Sequence, residues 1–182
     1  MNSGKSENKI CRELPYIESA KVKKILPNKI QIETTLAEPK FCILYGEKYL
    51  LISQESKVLE ERDDIPSELP LIIGLNFSVS ENKKLVYEQE ELKNTLSSIF
   101  SSFEDNKLFA ITSIDFSEIE NISVNYDNRI KILLGNNNDI DYKLLTAHEI
   151  ILNKIKNDES GVLDLSKLIN DNRSYFIPDS KK

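Results

Sequence analysis

Apolar and polar residues alternate with a period of two through Ala20, Val22 and Lys24 against Lys21 and Lys23, the pattern of a half-buried strand. Pro27-Asn28 supplies a turn, because the proline ring presets φ, and a second strand from Lys29 to Thr35 repeats the period through Ile30, Ile32 and Thr34. A short helix from about Ser6 to Leu14 precedes them, closed by Pro15, which cannot donate the helical hydrogen bond. The stretch from Leu14 to Pro39 thus reads as a helix end, a strand, a turn and a strand. It carries no catalytic group, so its message concerns architecture and binding.

Further along, Phe41 to Tyr45 and Tyr49 to Ile52 flank Gly46-Glu47-Lys48 as a second hairpin, Val58-Leu59 adds a short strand, and Glu60 to Pro66 reads as an acidic surface loop. Leu69 to Leu75 is apolar but punctuated by Pro70 and Gly74. From Tyr87 to Phe103, Leu92, Leu96, Ile99, Phe100 and Phe103 recur at helical spacing, with Glu88, Glu90 and Glu91 near the start, where the helix dipole favours acidic groups. The apolar stripe of that helix predicts a sheet beneath it. Leu108 to Phe116, Ile119 to Tyr126 and Ile130 to Leu134 supply it, the last two joined by a tight turn at Asp127-Asn128. A helix capped by Asp141 runs to about Asn157, followed by strands at Val162 to Leu165 and Ser174 to Ile177, the latter ending at Pro178.

The chain has 182 residues, a net charge of −6 and no tryptophan. Residues 1–39 carry +2, residues 40–126 carry −8 and residues 127–182 balance. An acidic middle without a basic cluster argues against nucleic acid, whose phosphates demand a concentrated positive face. No run approaches the roughly 18–20 apolar residues that span a bilayer, and no signal-peptide pattern opens the chain, so it reads as soluble when taken alone.

Candidate chemistry is sparse. His148 is the sole histidine, so His148-Glu149 cannot form a two-histidine zinc helix, and a satisfied helical histidine is the default. Cys11 and Cys42 lack a metal-ligand spacing; a bridge between them would fit an oxidising exterior, but separate buried thiols are the commoner outcome. Asn137 to Asp141 superficially resembles a calcium loop but lacks the internal glycine and an acidic twelfth ligand, since His148 falls there; helix capping is the better reading. Five glycines, none clustered, give nucleotide binding no support. A glycosidase pair could be drawn from thirty acidic residues, yet nothing singles one out. No catalytic residue, cofactor or metal is expected.

The order Leu14-Pro15-Tyr16-Ile17, Ala20, Val22, Leu26-Pro27, Ile30, Ile32 and Pro39, then Tyr49 to Ile52, Leu69-Pro70 with Gly74, Ile130 to Gly135, Lys143 and Gly161 to Leu165, resembles the FtsQ/DivIB family of bacterial cell-division proteins. The resemblance implies an α+β chain. Residues 1–39 would be a partial POTRA domain lacking its first strand and helix, 40–178 a mixed, mainly antiparallel β domain with two covering helices, and 179–182 a tail. It further implies a membrane-anchored parent protein at the extracytoplasmic face of the division septum. Three departures stand out: the membrane helix and opening POTRA elements are missing, Leu36-Ala37 stands where a Glu-Arg pair is usual, and Ser56-Lys57 replaces a glycine turn.

The function implied is a non-enzymatic scaffold that binds FtsL and FtsB/DivIC-type partners and supports septal peptidoglycan synthesis, with the septal synthase complex a further expected contact. The family's partner edge maps to Ser166, Lys167, Arg173, Ser174, Tyr175, Phe176 and Ile177. A terminal strand there would expose free backbone groups to an added strand. Two other readings stay open: a POTRA-like protein-binding module of a secretion or outer-membrane assembly system, and a domain acting on cell-wall glycan.

Overall fold

The computed structural model describes residues 3–105 and 110–180. In chain order the elements are α1 (Ser3–Glu13), β1 (Ile17–Ile25), β2 (Lys29–Leu36), β3 (Pro39–Tyr45), β4 (Lys48–Ser53), β5 (Val58–Arg62), β6 (Leu71–Ile73), β7 (Phe77–Val79), β8 (Leu85–Tyr87), α2 (Glu90–Asp105), β9 (Ile111–Asp115), β10 (Ile122–Tyr126), β11 (Ile130–Gly135), α3 (Ile140–Asn153), β12 (Gly161–Asp164), α4 (Leu168–Asp171) and β13 (Tyr175–Pro178). The mixture is α+β. Among the described residues no helix is long and apolar enough to cross a membrane. The chain divides into two compact units, Met1–Leu69 with Phe77–Val86, and Pro70–Asn76 with Tyr87–Lys182.

In the first unit, β1 and β2 pair antiparallel so that Ala20 faces Thr34, Val22 faces Ile32 and Lys24 faces Ile30. These pairs share one face of the hairpin, because side chains alternate along a strand. α1 packs against β1 through half-buried Glu7, Ile10 and Cys11, spaced three and four apart as one helical face requires. The Glu7 carboxylate accepts the Val22 backbone N–H at 2.8 Å. Ala20 and Val22 are buried, whereas Ile30 and Ile32 on the same face stay 53% and 54% exposed. The alternation expected of β2 is present in sequence, yet every residue of that strand is exposed.

The strands β3, β4 and β5 follow as an antiparallel meander with Phe41, Cys42, Ile43, Leu50, Leu51 and Ile52 buried. Leu51 and Leu59 cluster with Ala37, and Leu69 packs on them. The sequence expectation ended β5 at Leu59 and placed Glu60 to Pro66 in a loop. Instead the strand continues through Glu60-Glu61-Arg62, because Glu61 pairs opposite Leu50 and its carboxylate meets Lys48 at 3.0 Å. This unit runs on past Pro39, where the sequence suggested a break. Tyr16 donates to Glu60 at 2.7 Å, Ser53 donates to Glu18 at 2.8 Å, and the buried Lys57 ammonium donates to the carbonyls of Leu14, at 3.3 Å, and Ile17. Burial pushes the Lys57 ammonium below its ordinary pKa. Ser56, standing at the position expected for a glycine turn, adopts φ +62°.

In the second unit, β6 and β9 run parallel, β9, β10 and β11 antiparallel, β11 and β12 parallel, and β12 and β13 antiparallel. Parallel neighbours need long crossovers. The one between β11 and β12 is α3, which packs against α2 and β11. Ile114, Val124, Ile132, Leu134 and Leu163 of the sheet, with Ile99, Leu144 and Ala147 of the helices, are fully buried, each large aliphatic contributing about 1.5–3 kcal/mol. Buried Lys143 points its ammonium at the Asn136 backbone carbonyl, 2.9 Å, and side-chain oxygen, 3.2 Å, closing the loop that opens α3.

Four expectations here need correction. The helix predicted from Tyr87 begins at Glu90, since Tyr87 closes β8, one arm of a β7–β8 hairpin that the sequence did not announce. Asp141 does not cap α3: the cap position is Asp139, in left-handed conformation and without a side-chain capping bond, while the Asp141 carboxylate accepts from Ser102 of α2. That helix stops at Asn153, not Asn157. The predicted strand from Leu108 starts at Ile111; Leu108 itself lies outside the described residues. Cys11 and Cys42 form no disulfide, and burial raises the Cys42 thiol to about 11.

Candidate partner-binding edge

At the end of the second unit the chain makes one more antiparallel turn, and β13 becomes the outermost strand. Its register places Gly161 opposite Pro178, Val162 opposite Ile177, Leu163 opposite Phe176 and Asp164 opposite Tyr175. Leu163 is fully buried, so Phe176, its neighbour on that face, turns toward the core and is half-buried. Tyr175 and Ile177 share the opposite face with Val162 and Asp164 and remain 50% and 61% exposed. β13 therefore offers one aromatic anchor inward and two large side chains outward.

Backbone hydrogen bonds decide which polar groups lie on the open side. The Asp179 N–H donates to the Ser160 carbonyl at 2.9 Å, and the Gly161 N–H turns the other way, to the Arg129 carbonyl of the turn before β11, at 2.9 Å. In an antiparallel ladder bonded and non-bonded pairs alternate. Val162 with Ile177 and Asp164 with Tyr175 are then the bonded pairs. Phe176 and Pro178 point their backbone groups away from β12, into the open edge. Among the described residues no strand pairs with β13 on that side.

The seven residues that the resemblance singled out do not all sit on this strand. Tyr175, Phe176 and Ile177 form most of β13. Arg173 and Ser174 lie in the exposed approach to it, after Asn172 reverses the chain in left-handed conformation at the end of α4. Ser166 and Lys167 belong to the turn between β12 and α4. Ser166 donates its backbone N–H at 2.9 Å and its hydroxyl at 2.7 Å to the Asp164 carboxylate, the residue paired with Tyr175. That places Ser166 at the Tyr175 end of the edge. The Lys167 carbonyl accepts from the Asp171 N–H at 2.9 Å, and its side chain faces solvent.

Gly161 and Pro178 belong to the site and were missed. A Cβ on Gly161 would stand 2.3 Å from the Ile177 carbonyl oxygen and 2.9 Å from the Pro178 Cα, so only glycine lets β13 lie this close. A glycine opening a predicted strand is the signal that could have found it. The turn into β12 is fixed by Arg129, whose guanidinium donates to the carbonyls of Lys156, 3.3 Å, and Glu159, 2.9 Å. Among the described residues no cluster of metal-ligating side chains occurs.

No protein-family model matches the chain. Curated relatives named cell division protein DivIB do, three of which are as follows. One from Clostridium acetobutylicum is 30% identical over 172 residues, spanning 91% of this chain and 66% of the relative. One from Clostridium tetani is 29% identical over 157 residues, 84% of this chain and 59% of the relative. One from Clostridium botulinum strain Hall is 31% identical over 157 residues, 84% and 60% respectively. The chain thus spans about three fifths to two thirds of the length of these relatives. A solved structure, the major extracytoplasmic domain of the trans isomer of DivIB from Geobacillus stearothermophilus, is 11% identical, with a TM-score of 0.41 over 67% of this chain and 99% of that one.

Proposed function

Because this chain belongs to the DivIB family of bacterial cell-division proteins, we propose that it is a non-enzymatic divisome scaffold that captures FtsL and FtsB/DivIC-type partners by strand addition to β13. Acting at the extracytoplasmic face of the septal membrane, it would hold these partners for septal peptidoglycan synthesis, in reach of the septal synthase complex. The single observation that carries this reading is the open edge of β13, a strand backed by a buried core and flanked by exposed Tyr175 and Ile177. Main-chain bonds along such an edge supply affinity, and alternate side chains supply selectivity. Large aromatic side chains near the centre of an interface commonly dominate its energy.

The first unit supports the family architecture in a second way. We assign α1, β1 and β2 to part of a POTRA module, whose further elements would cover the exposed Ile30 and Ile32. The scaffold reading is tested by titrating the chain with the ectodomain of its DivIC-type partner. Tyr175→Ala combined with Phe176→Ala should weaken binding about 100-fold or more, within the range of paired hot-spot truncations, while circular dichroism checks that the chain stays folded despite the lower melting temperature that loss of the inward Phe176 brings. Unchanged affinity in a folded double variant sinks the β13 assignment.

A further inference from the structure

Resting on the β13 reading, we infer that Pro178 is a built-in stop that limits strand addition to the Phe176 position and so sets the register of the bound strand. The outward line of β13 alternates, so within the strand only Phe176 and Pro178 contribute to it. Phe176 offers both an N–H and a C=O. Pro178 offers a C=O alone, because its nitrogen carries no hydrogen. Within β13 an incoming antiparallel strand can therefore close one complete pair of bonds, opposite Phe176, and on its C-terminal side only one further bond, to the Pro178 carbonyl. The partner residue opposite Pro178 is left with an unmatched carbonyl, and a strand shifted so as to centre there gains nothing for its own acceptor.

Two consequences distinguish this edge from a generic one. The bound strand is centred on Phe176, so its side chains on the outer face fall beside Tyr175 and Ile177 and discriminate between partners. The same missing donor also protects the edge. Two copies of this chain aligned edge to edge would each present a gap at Pro178, and proline on an edge strand is a known means of discouraging such pairing. The exposed, apolar character of Tyr175 and Ile177 makes that protection necessary.

The test uses the whole chain with Pro178→Thr, a β-favouring residue that restores one outward N–H and leaves the bonds to β12 untouched. Titrated with the same DivIC-type ectodomain, the variant should bind about 3- to 10-fold tighter, the gain of one net hydrogen bond. Sedimentation velocity of the variant alone should reveal concentration-dependent self-association that the wild type lacks. A folded Pro178→Thr chain that binds no tighter overturns the stop, while the β13 reading stands as long as the Tyr175/Phe176 double variant still loses binding. If the wild type does not bind the ectodomain at all, the scaffold reading fails instead, and sedimentation decides Pro178 independently: self-association of the variant upholds the stop, and a monomer at every concentration overturns it.

Discussion

Two of the strand edges among the described residues, those of β2 and β13, differ in what stands behind them. β2 belongs to a two-stranded hairpin in which helix α1 packs on the neighbouring strand, and every β2 residue is exposed. β13 is as short as four residues but is the last strand of a sheet whose adjoining Leu163 and Ile132 are fully buried under helices. Two-stranded hairpins alone are marginal in water. An edge can present a defined row of donors and acceptors only if the sheet behind it holds its register, and register is enforced where one face is buried. By that criterion β13 is the better docking edge, although β2 is longer and carries more exposed apolar residues.

The sharpest way to break this contrast is to remove the same side chain from both regions. Ile132→Ala, in the buried heart of the second unit, should cost about 3–4 kcal/mol through lost transfer energy and a residual cavity. Ile32→Ala on exposed β2 should cost under about 0.5 kcal/mol. Chemical denaturation of the two variants measures both, and equal losses would mean that β2 is covered in solution.

Next in size, Gly161→Val should lever β13 from β12, because the new Cβ would collide with the Ile177 carbonyl. We expect about 1–3 kcal/mol of destabilisation and a loss of hydrogen-exchange protection at the inward-facing Ile177 N–H. Partner binding should fall together with that protection. Protection retained in the variant would show that the strand does not depend on this close approach.

In the first unit, Lys57→Met keeps the aliphatic stem but leaves the Leu14 and Ile17 carbonyls without their charged donor. A loss of about 1–2 kcal/mol is expected, offset in part by relief of the buried charge. The sign of the pH effect follows from the lowered ammonium pKa. Between its folded value and 10.5 the unfolded chain binds more protons, so this group's contribution to stability rises with pH. Wild type minus Lys57→Met, compared at pH 7 and pH 9.5, should not decrease.

The smallest effect belongs to Asp115 in the second unit. Hydrogen bonds from Ser117, whose backbone N–H lies 2.9 Å from the carboxylate, hold its pKa below 3.8. Its stabilisation is complete above the unfolded value and is lost as pH falls through the folded one. Asp115→Asn should therefore narrow its gap to wild type between pH 5 and pH 2, and a gap constant with pH would remove the carboxylate from the account.

Much of the fold was legible in the sequence because periodicity reports burial directly. The β1 alternation, the Gly46 hairpin, the apolar stripe of α2 and the β10–β11 turn at Asp127-Asn128 were all readable. The β7–β8 hairpin was not, since its strands have three residues each and so too few positions to establish a period. Nor was the extension of β5 through Glu60-Glu61-Arg62, where charge suggested a loop and only the opposing Lys48 and Leu50 make a strand favourable. Asp141 misled for a related reason. Its carboxylate suits a helix cap, but Ser102, 39 residues earlier in the chain, claims it.

The candidate edge divides in the same way. That a strand rich in large side chains ends at Pro178 follows from residue type alone, because a proline lacks an N–H wherever it stands. Which of the alternating backbone groups face outward does not follow. That depended on the pairing of β13 with β12, anchored by Asp179 to Ser160 and by Gly161 to Arg129, contacts between residues 19 and 32 positions apart. The sequence by itself determined the α+β character and the identity of the last strand, since these rest on local pattern, and it pointed to the family through the order and spacing of its motifs. Only the tertiary structure decided that β13 is outermost, that Gly161 permits its close approach and that Pro178 lies on the open line, because a strand's two edges are identical until a neighbour occupies one.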